Sequence, residues 1–110
     1  LARCVATRTG LGGVVGRKRE RDTRRFAVDF AGGDLALLDP KTEVEPVITV
    51  SRGQVEITSA RPLASVQGYR AMFDLVPDAG PDPITMRLYL RVDGQALSET
   101  WLYEWVPPST

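Results

Sequence analysis

Gly10, Gly12, Gly13 and Gly16 run directly into Arg17, Lys18, Arg19, Arg21, Arg24 and Arg25. Closely spaced glycines let backbone amides approach an anion, and guanidinium groups beside them could hold a phosphate. The spacing fits neither phosphate fingerprint. A dinucleotide motif ending at Gly16 needs glycine at position 11, which is Leu11, and no G-K-[S/T] follows for a P-loop. Both motifs also need a helix N-terminus after the loop, and here charged residues and then a strand pattern follow. A nucleic-acid arm would interleave aromatic rings among the basic residues, and Arg17 to Arg25 contains none. Two readings stay open: a solvated connection, or a loop that docks on another protein surface. The docking candidates are Arg8, Gly10, Gly12, Gly13, Arg17, Arg24 and Arg25, because a connection from Thr7 to Arg24 is longer than a hairpin turn needs.

Carboxylates are the second source of chemistry. Asp29, Asp74, Glu99 and Glu104 fall within strand-like runs. Hydrolysis of a glycosidic bond takes two carboxyl groups facing one cleft, roughly 5–10 Å apart. Asp29 and Asp74 take the outward phase of their strands, which reads as surface or hydrogen-bonding acids rather than a catalytic pair. Trp101, Tyr103 and Trp105 share one face of the last strand pattern, with Glu99 in the same register. Flat rings beside polar groups can stack on sugars; rings of this size are equally at home in a core or a domain contact. The chain has one cysteine, Cys4, and no histidine. An internal disulfide, a thiol–histidine pair and a Cys/His zinc site are thereby excluded, and Cys4 reads as a small apolar residue. No cofactor motif is present.

The elements that must carry these residues are strands. Leu1 to Thr7 leans apolar. Arg25 to Ala31 alternates, with Phe26, Val28 and Phe30 on one face. Val47 to Ser51 and Val55 to Ser59 flank Arg52-Gly53, Tyr69 to Leu75 alternates up to Pro77, and Ile84 to Val92 is the cleanest period-two run. Asp93-Gly94 signals a tight turn into a last strand, Leu97 to Trp105. The one helix-like piece, Leu35 to Leu38, is too short to hold by itself. About seven short strands between turns predict an all-β fold, an immunoglobulin-like antiparallel β-sandwich. Its expected core contains Phe26, Phe30, Phe73, Leu88, Leu90 and Trp101.

Size and charge bound the function. The 110 residues suit one domain over 1–110. The net charge is zero, but residues 1–25 carry eight basic and two acidic side chains, +6, leaving −6 over the rest. An acidic body repels a phosphate backbone, which argues against a nucleic-acid partner. No apolar run approaches the ~20 residues that span a bilayer. The opening LARCVATRTG has no initiator Met, basic n-region or apolar h-region, and reads as a C-terminal piece of a longer protein.

Two stretches carry a family resemblance. TRRFAVDFAGGDL (Thr23 to Leu35) and LSETWLYEW (Leu97 to Trp105) resemble the C-terminal region of the periplasmic glucan biosynthesis proteins of Gram-negative bacteria, the OpgG/OpgD (MdoG) family. VATRTGLGG (Val5 to Gly13), SRGQV (Ser51 to Val55) and YRAMFDL (Tyr69 to Leu75) fit as well, with Tyr69 where the family tends to have tryptophan. The resemblance implies a periplasmic two-domain protein. Its large N-terminal domain carries the glucan cleft and any catalytic acids, and its smaller C-terminal domain is immunoglobulin-like. It implies a role in making osmoregulated glucans with a β-1,2-linked backbone, with some members similar to hydrolases of such backbones. No catalytic residue transfers to this chain. The implied partners are the N-terminal domain and, through it, glucan; a homodimer is left open. The alternative from the residues themselves is a free-standing carbohydrate- or protein-binding sandwich with Trp101, Tyr103 and Trp105 as its platform.

Overall fold

Alternating side chains build most of the molecule. The computed structural model describes residues 1–13, 23–39, 41–78 and 80–107. Its strands are β1 (Arg3–Leu11), β2 (Arg24–Ala31), β3 (Glu45–Val50), β4 (Gln54–Leu63), β5 (Gly68–Val76), β6 (Ile84–Val92), β7 (Gln95–Ala96) and β8 (Trp101–Trp105). Short 3₁₀ turns at Gly33–Leu37 and Ala64–Val66 complete the described elements. One antiparallel sheet has the order β1-β2-β5-β4; in the other β3 and β8 flank β6, and β7 pairs with the far end of β6. Lettered along the chain, with the two-residue β7 set aside, these are the ABED and CFG sheets of a constant-type immunoglobulin sandwich.

The period-two runs account for the core. Phe26, Val28 and Phe30 of β2, Tyr69, Ala71, Phe73 and Leu75 of β5, and Ile84, Met86, Leu88 and Leu90 of β6 are all buried. They meet in one cluster that Trp101 joins. No cysteine pair bridges the sheets, so side-chain packing holds them together. Phe26 stacks on Phe73 at 5.2 Å between ring centroids, and Trp101 and Tyr103 meet Phe26 edge-on. Gly68 is required where β5 begins, because a Cβ there would collide with the main chain at Phe30 and Ala31.

Three boundaries differ from the sequence reading. β1 continues past Thr7 to Leu11 and pairs with β2 in the register Arg8↔Ala27, Gly10↔Arg25 and Leu11↔Arg24. Arg8 and Gly10 therefore lie on a strand, not in a loop. A second difference is that the run from Leu97 to Trp105 is not one strand. After Leu97, whose amide still donates to Leu90 O, the residues before β8 leave the β6 ladder and turn to the start of β1. There the Ala2 amide donates to Leu97 O and the Glu99 amide to Ala2 O, 2.9 and 2.8 Å, making a parallel bridge from Ala2 to Ser98. Ser98 Oγ fills the vacated place by accepting from the Leu90 amide. Glu99 thus leaves the register of the rings, and its carboxylate accepts from the Cys4 amide. Third, β4 runs on through Pro62 to Leu63. Cys4 is half-buried against the core edge.

Candidate functional site

Three of the docking candidates, Gly12, Gly13 and Arg25, meet at one acid. Asp74 sits on the outer face of the four-stranded sheet, opposite Arg25 in the β2–β5 ladder. Arg25 Nε donates to Asp74 Oδ1 at 2.8 Å and Nη2 to Oδ2 at 3.1 Å, a bidentate pair. The Gly13 amide donates to the same Oδ2 at 2.8 Å, and Gly13 O accepts from Arg25 Nη2 at 2.8 Å. The Gly12 amide continues the β1–β2 ladder to Thr23 O. One carboxylate therefore ties together the last described residue before the basic segment and the second residue of the strand after it. Gly12 is needed for closeness: a Cβ there would meet Thr23 Cγ2 at 2.6 Å and Asp74 Cγ at 3.0 Å. Arg17 lies outside the described residues, as does Gly16. Arg24 is half-buried at the start of β2 and pairs with Leu11 and Leu75 across the sheet.

A second cluster lies on the same face. Arg70 Nε donates to Asp29 Oδ1 at 2.7 Å and Nη2 to Oδ2 at 3.1 Å, and Arg8 Nη1 reaches Oδ2 at 3.2 Å. Asp29 and Asp74 do point outward, but they are not surface acids. They are 3% and 1% exposed, roofed by the arginines they bind. The hydrogen bonds from Arg70 outweigh burial and hold the Asp29 carboxyl below its ordinary range, with a smaller contribution from Arg8. The bond to Asp74 likewise raises Arg25 above its ordinary value.

Asp29 gives the fold a pH dependence. Folded Asp29 binds a proton less readily than unfolded Asp29, so the unfolded state protonates first as pH falls. Its contribution is complete above the unfolded carboxylate value of about 3.9 and disappears as pH drops through the depressed folded value. Urea unfolding between about pH 5 and 2 should show falling stability, and Asp29→Asn should flatten the slope there. An unchanged slope in that variant would assign the acid lability to other groups.

The aromatic candidates divide. Trp101 is 6% exposed; Tyr103 stacks on it at 5.2 Å, and Phe26 and Phe73 close on it edge-on. Its Nε1 donates to Thr7 Oγ1 at 2.9 Å. Tyr103 and Trp105 are half-buried against the same core. The structure therefore brings Trp101 into the interior and leaves Tyr103 and Trp105 half-covered at its edge.

A polar groove of about 640 Å³, absent from the sequence reading, runs between the outer strands β3 and β4 and is lined by Glu43, Glu45, Arg61, Tyr69, Arg91 and Asp93 among others. It joins residues from four separate stretches, so no local motif announces it.

The family model described as periplasmic glucan biosynthesis protein, MdoG, matches residues 1–105. The chain belongs to this family. Among curated relatives it is 66% identical to the glucans biosynthesis protein D of Xanthomonas axonopodis pv. citri, over 98% of this chain and 21% of that protein. It is 65% identical to the protein of the same name from Xanthomonas campestris pv. campestris, with the same coverage. The Stenotrophomonas maltophilia counterpart is 63% identical over 98% of this chain and 20% of its own length. The chain thus spans about a fifth of the length of these MdoG relatives.

The acid that ties the hairpin was legible as a residue but not as a partner. Arg25 and Asp74 both sit at outward positions of alternating strands. Only the register of β2 on β5 shows that they face each other.

Proposed function

We propose that this chain is the C-terminal, immunoglobulin-like accessory domain of a periplasmic protein that makes osmoregulated glucans with a β-1,2-linked backbone. In this reading it contributes no catalytic group and binds the larger, preceding part of the same polypeptide. The observation that carries the reading is the state of its carboxylates. Asp29 and Asp74 are the two buried acids among the described residues, and each is held in a bidentate arginine pair. A carboxylate so paired is stabilised as the anion and is a poor proton donor. Family membership and the names of the relatives support the glucan role.

The basic segment would be the docking element, with Arg8, Gly10, Gly12, Gly13, Arg24 and Arg25 forming its base and Arg17 within it. The Asp74 clamp supports this by setting where the segment leaves and rejoins the sheet. The sugar-platform alternative has less behind it, since Trp101 has no face left for a ligand.

The test keeps the clamp and removes what it presents. In the intact parent protein, residues 14–22 are replaced by a glycine-serine linker and periplasmic glucan is measured. Glucan yield is expected to fall several-fold while the protein stays folded by circular dichroism. Normal yield with normal thermal stability of the whole protein would discard the docking role.

A further inference from the structure

The sandwich has two open sides, and they are treated differently. In an antiparallel ladder, a residue's N–H and C=O point together toward one neighbour, and the next residue's point the other way. The bond from the Gly12 amide to Thr23 O fixes the phase of β1 on β2, so Arg8 and Gly10 face β2 while Thr7, Thr9 and Leu11 face outward. The same phase carried across β2 and β5 leaves Ala60 and Pro62 facing outward on β4. The bond from the Ser51 amide to Thr85 O fixes β3 on β6, so Pro46 faces outward on β3. It also leaves Ile84, Met86 and Leu88 to bond β8, through Trp105, Tyr103 and Trp101, so Leu102 and Glu104 face outward.

On the β3/β4 side, each free edge carries a proline whose missing N–H is the one an added strand would need. β4 has in addition a register shift between Glu56 and Ser59. Prolines and bulges are how sheets refuse further strands. The β1/β8 side has neither in its described free stretches, Thr7–Leu11 and Trp101–Trp105. It is also apolar: Leu102, Val106 and Leu11 are 64%, 63% and 65% exposed. Leu11 is in the inward phase of β1 with Thr9 and Thr7. Since Thr7 meets Trp101 and the two strands run parallel, Leu11 lies level with Trp105.

We propose that β8 is completed by a β-strand from the larger, preceding part of the parent polypeptide. That strand bonds the outward main-chain groups of Leu102 and Glu104. Its outer side chains pack on Leu102 and Val106, and its inner ones cover Tyr103, Trp105 and Leu11. This rests on the reading of the chain as one domain of a longer protein. The occupant follows from length and position. The relatives are about five times as long as this segment, which is a C-terminal part of them. Ala2 is bonded to Leu97 and Glu99, so the chain preceding Leu1 departs beside the start of β8. A tethered strand there acts at a high effective concentration. A second copy laid antiparallel over Trp101–Trp105 would set Leu102 against Glu104 twice, a poor cross-strand pair.

Amide hydrogen exchange in the intact parent protein tests this. The Leu102 and Glu104 amides are expected to exchange about a hundredfold slower than unstructured amides, while the outward Ala60 amide on the guarded side stays fast. Leu102→Pro mimics positions 46 and 62, since it removes an outward N–H and leaves the β6 ladder alone. It should abolish protection at Glu104 while the burial of Trp101, read by fluorescence, persists. If that variant fails to fold, Leu102→Lys serves with the same readout. Unprotected exchange at Leu102 and Glu104 in the unaltered protein overturns the proposal. Protection that vanishes on dilution identifies a second copy instead and overturns it too. Exchange reports pairing whether or not glucan yield depends on the domain, so the two readings fail separately.

Discussion

Trp101→Ala is expected to cost about 3–5 kcal/mol, the range for deleting a large buried aromatic. Against the ~5–15 kcal/mol that stabilises a typical domain, this leaves the fold near its threshold. The ring is 6% exposed and touches Phe26, Phe73 and Tyr103, so its loss opens a hole where four aromatic side chains meet. It also removes the donor to Thr7 Oγ1 at the joint between the two sheets. With a urea m-value of about 1–3 kcal/mol per molar, the unfolding midpoint should move by more than a molar. Trp101→Phe keeps most of the volume and loses the hydrogen bond, and should cost roughly half as much. A loss below 1 kcal/mol for the alanine variant would mean the ring is not part of the core.

Arg25→Ala should be nearly as damaging, and more damaging than Asp74→Ala. The two substitutions break the same pair but strand different partners. Without Arg25, Asp74, which is 1% exposed beneath that side chain, keeps the Gly13 amide but loses its counter-charge, and an uncompensated buried charge costs about 3–5 kcal/mol. Without Asp74, the Arg25 side chain is already 35% exposed and can turn to water, so the cost should be about 1–3 kcal/mol. The double variant should cost less than the sum of the singles, because the pair acts as a unit. Urea unfolding of the three variants checks the order. Equal costs for the two singles would show that Asp74 is hydrated rather than enclosed.

The fold was readable because its central strands alternate. Arg25 to Ala31, Tyr69 to Leu75 and Ile84 to Val92 bury one face each, and all six expected core residues are inside. The edges were not readable for the same reason. Arg8-Thr9-Gly10-Leu11 has no apolar rhythm, and what makes it a strand is pairing with β2. Leu97 to Trp105 keeps its rhythm, yet it breaks because Leu97 and Glu99 bond Ala2, from the far end of the chain. Of the candidate site, Arg25, Gly12 and Gly13 could be nominated from glycines and charge. Their common acid could not, since Asp74 lies 49 residues beyond Arg25 and only the sheet register unites them.

The parallel bridge between Ala2 and Ser98 has a mechanical consequence. β1 and β8 run the same way, so Ala2 and Trp105 lie toward opposite poles of the sandwich. Tension between those poles pulls across the bonds from Ala2 to Leu97 and from Glu99 to Ala2, loading both together instead of peeling them one by one. A stretch between the poles would therefore meet its resistance at a joint that no motif in the sequence marks.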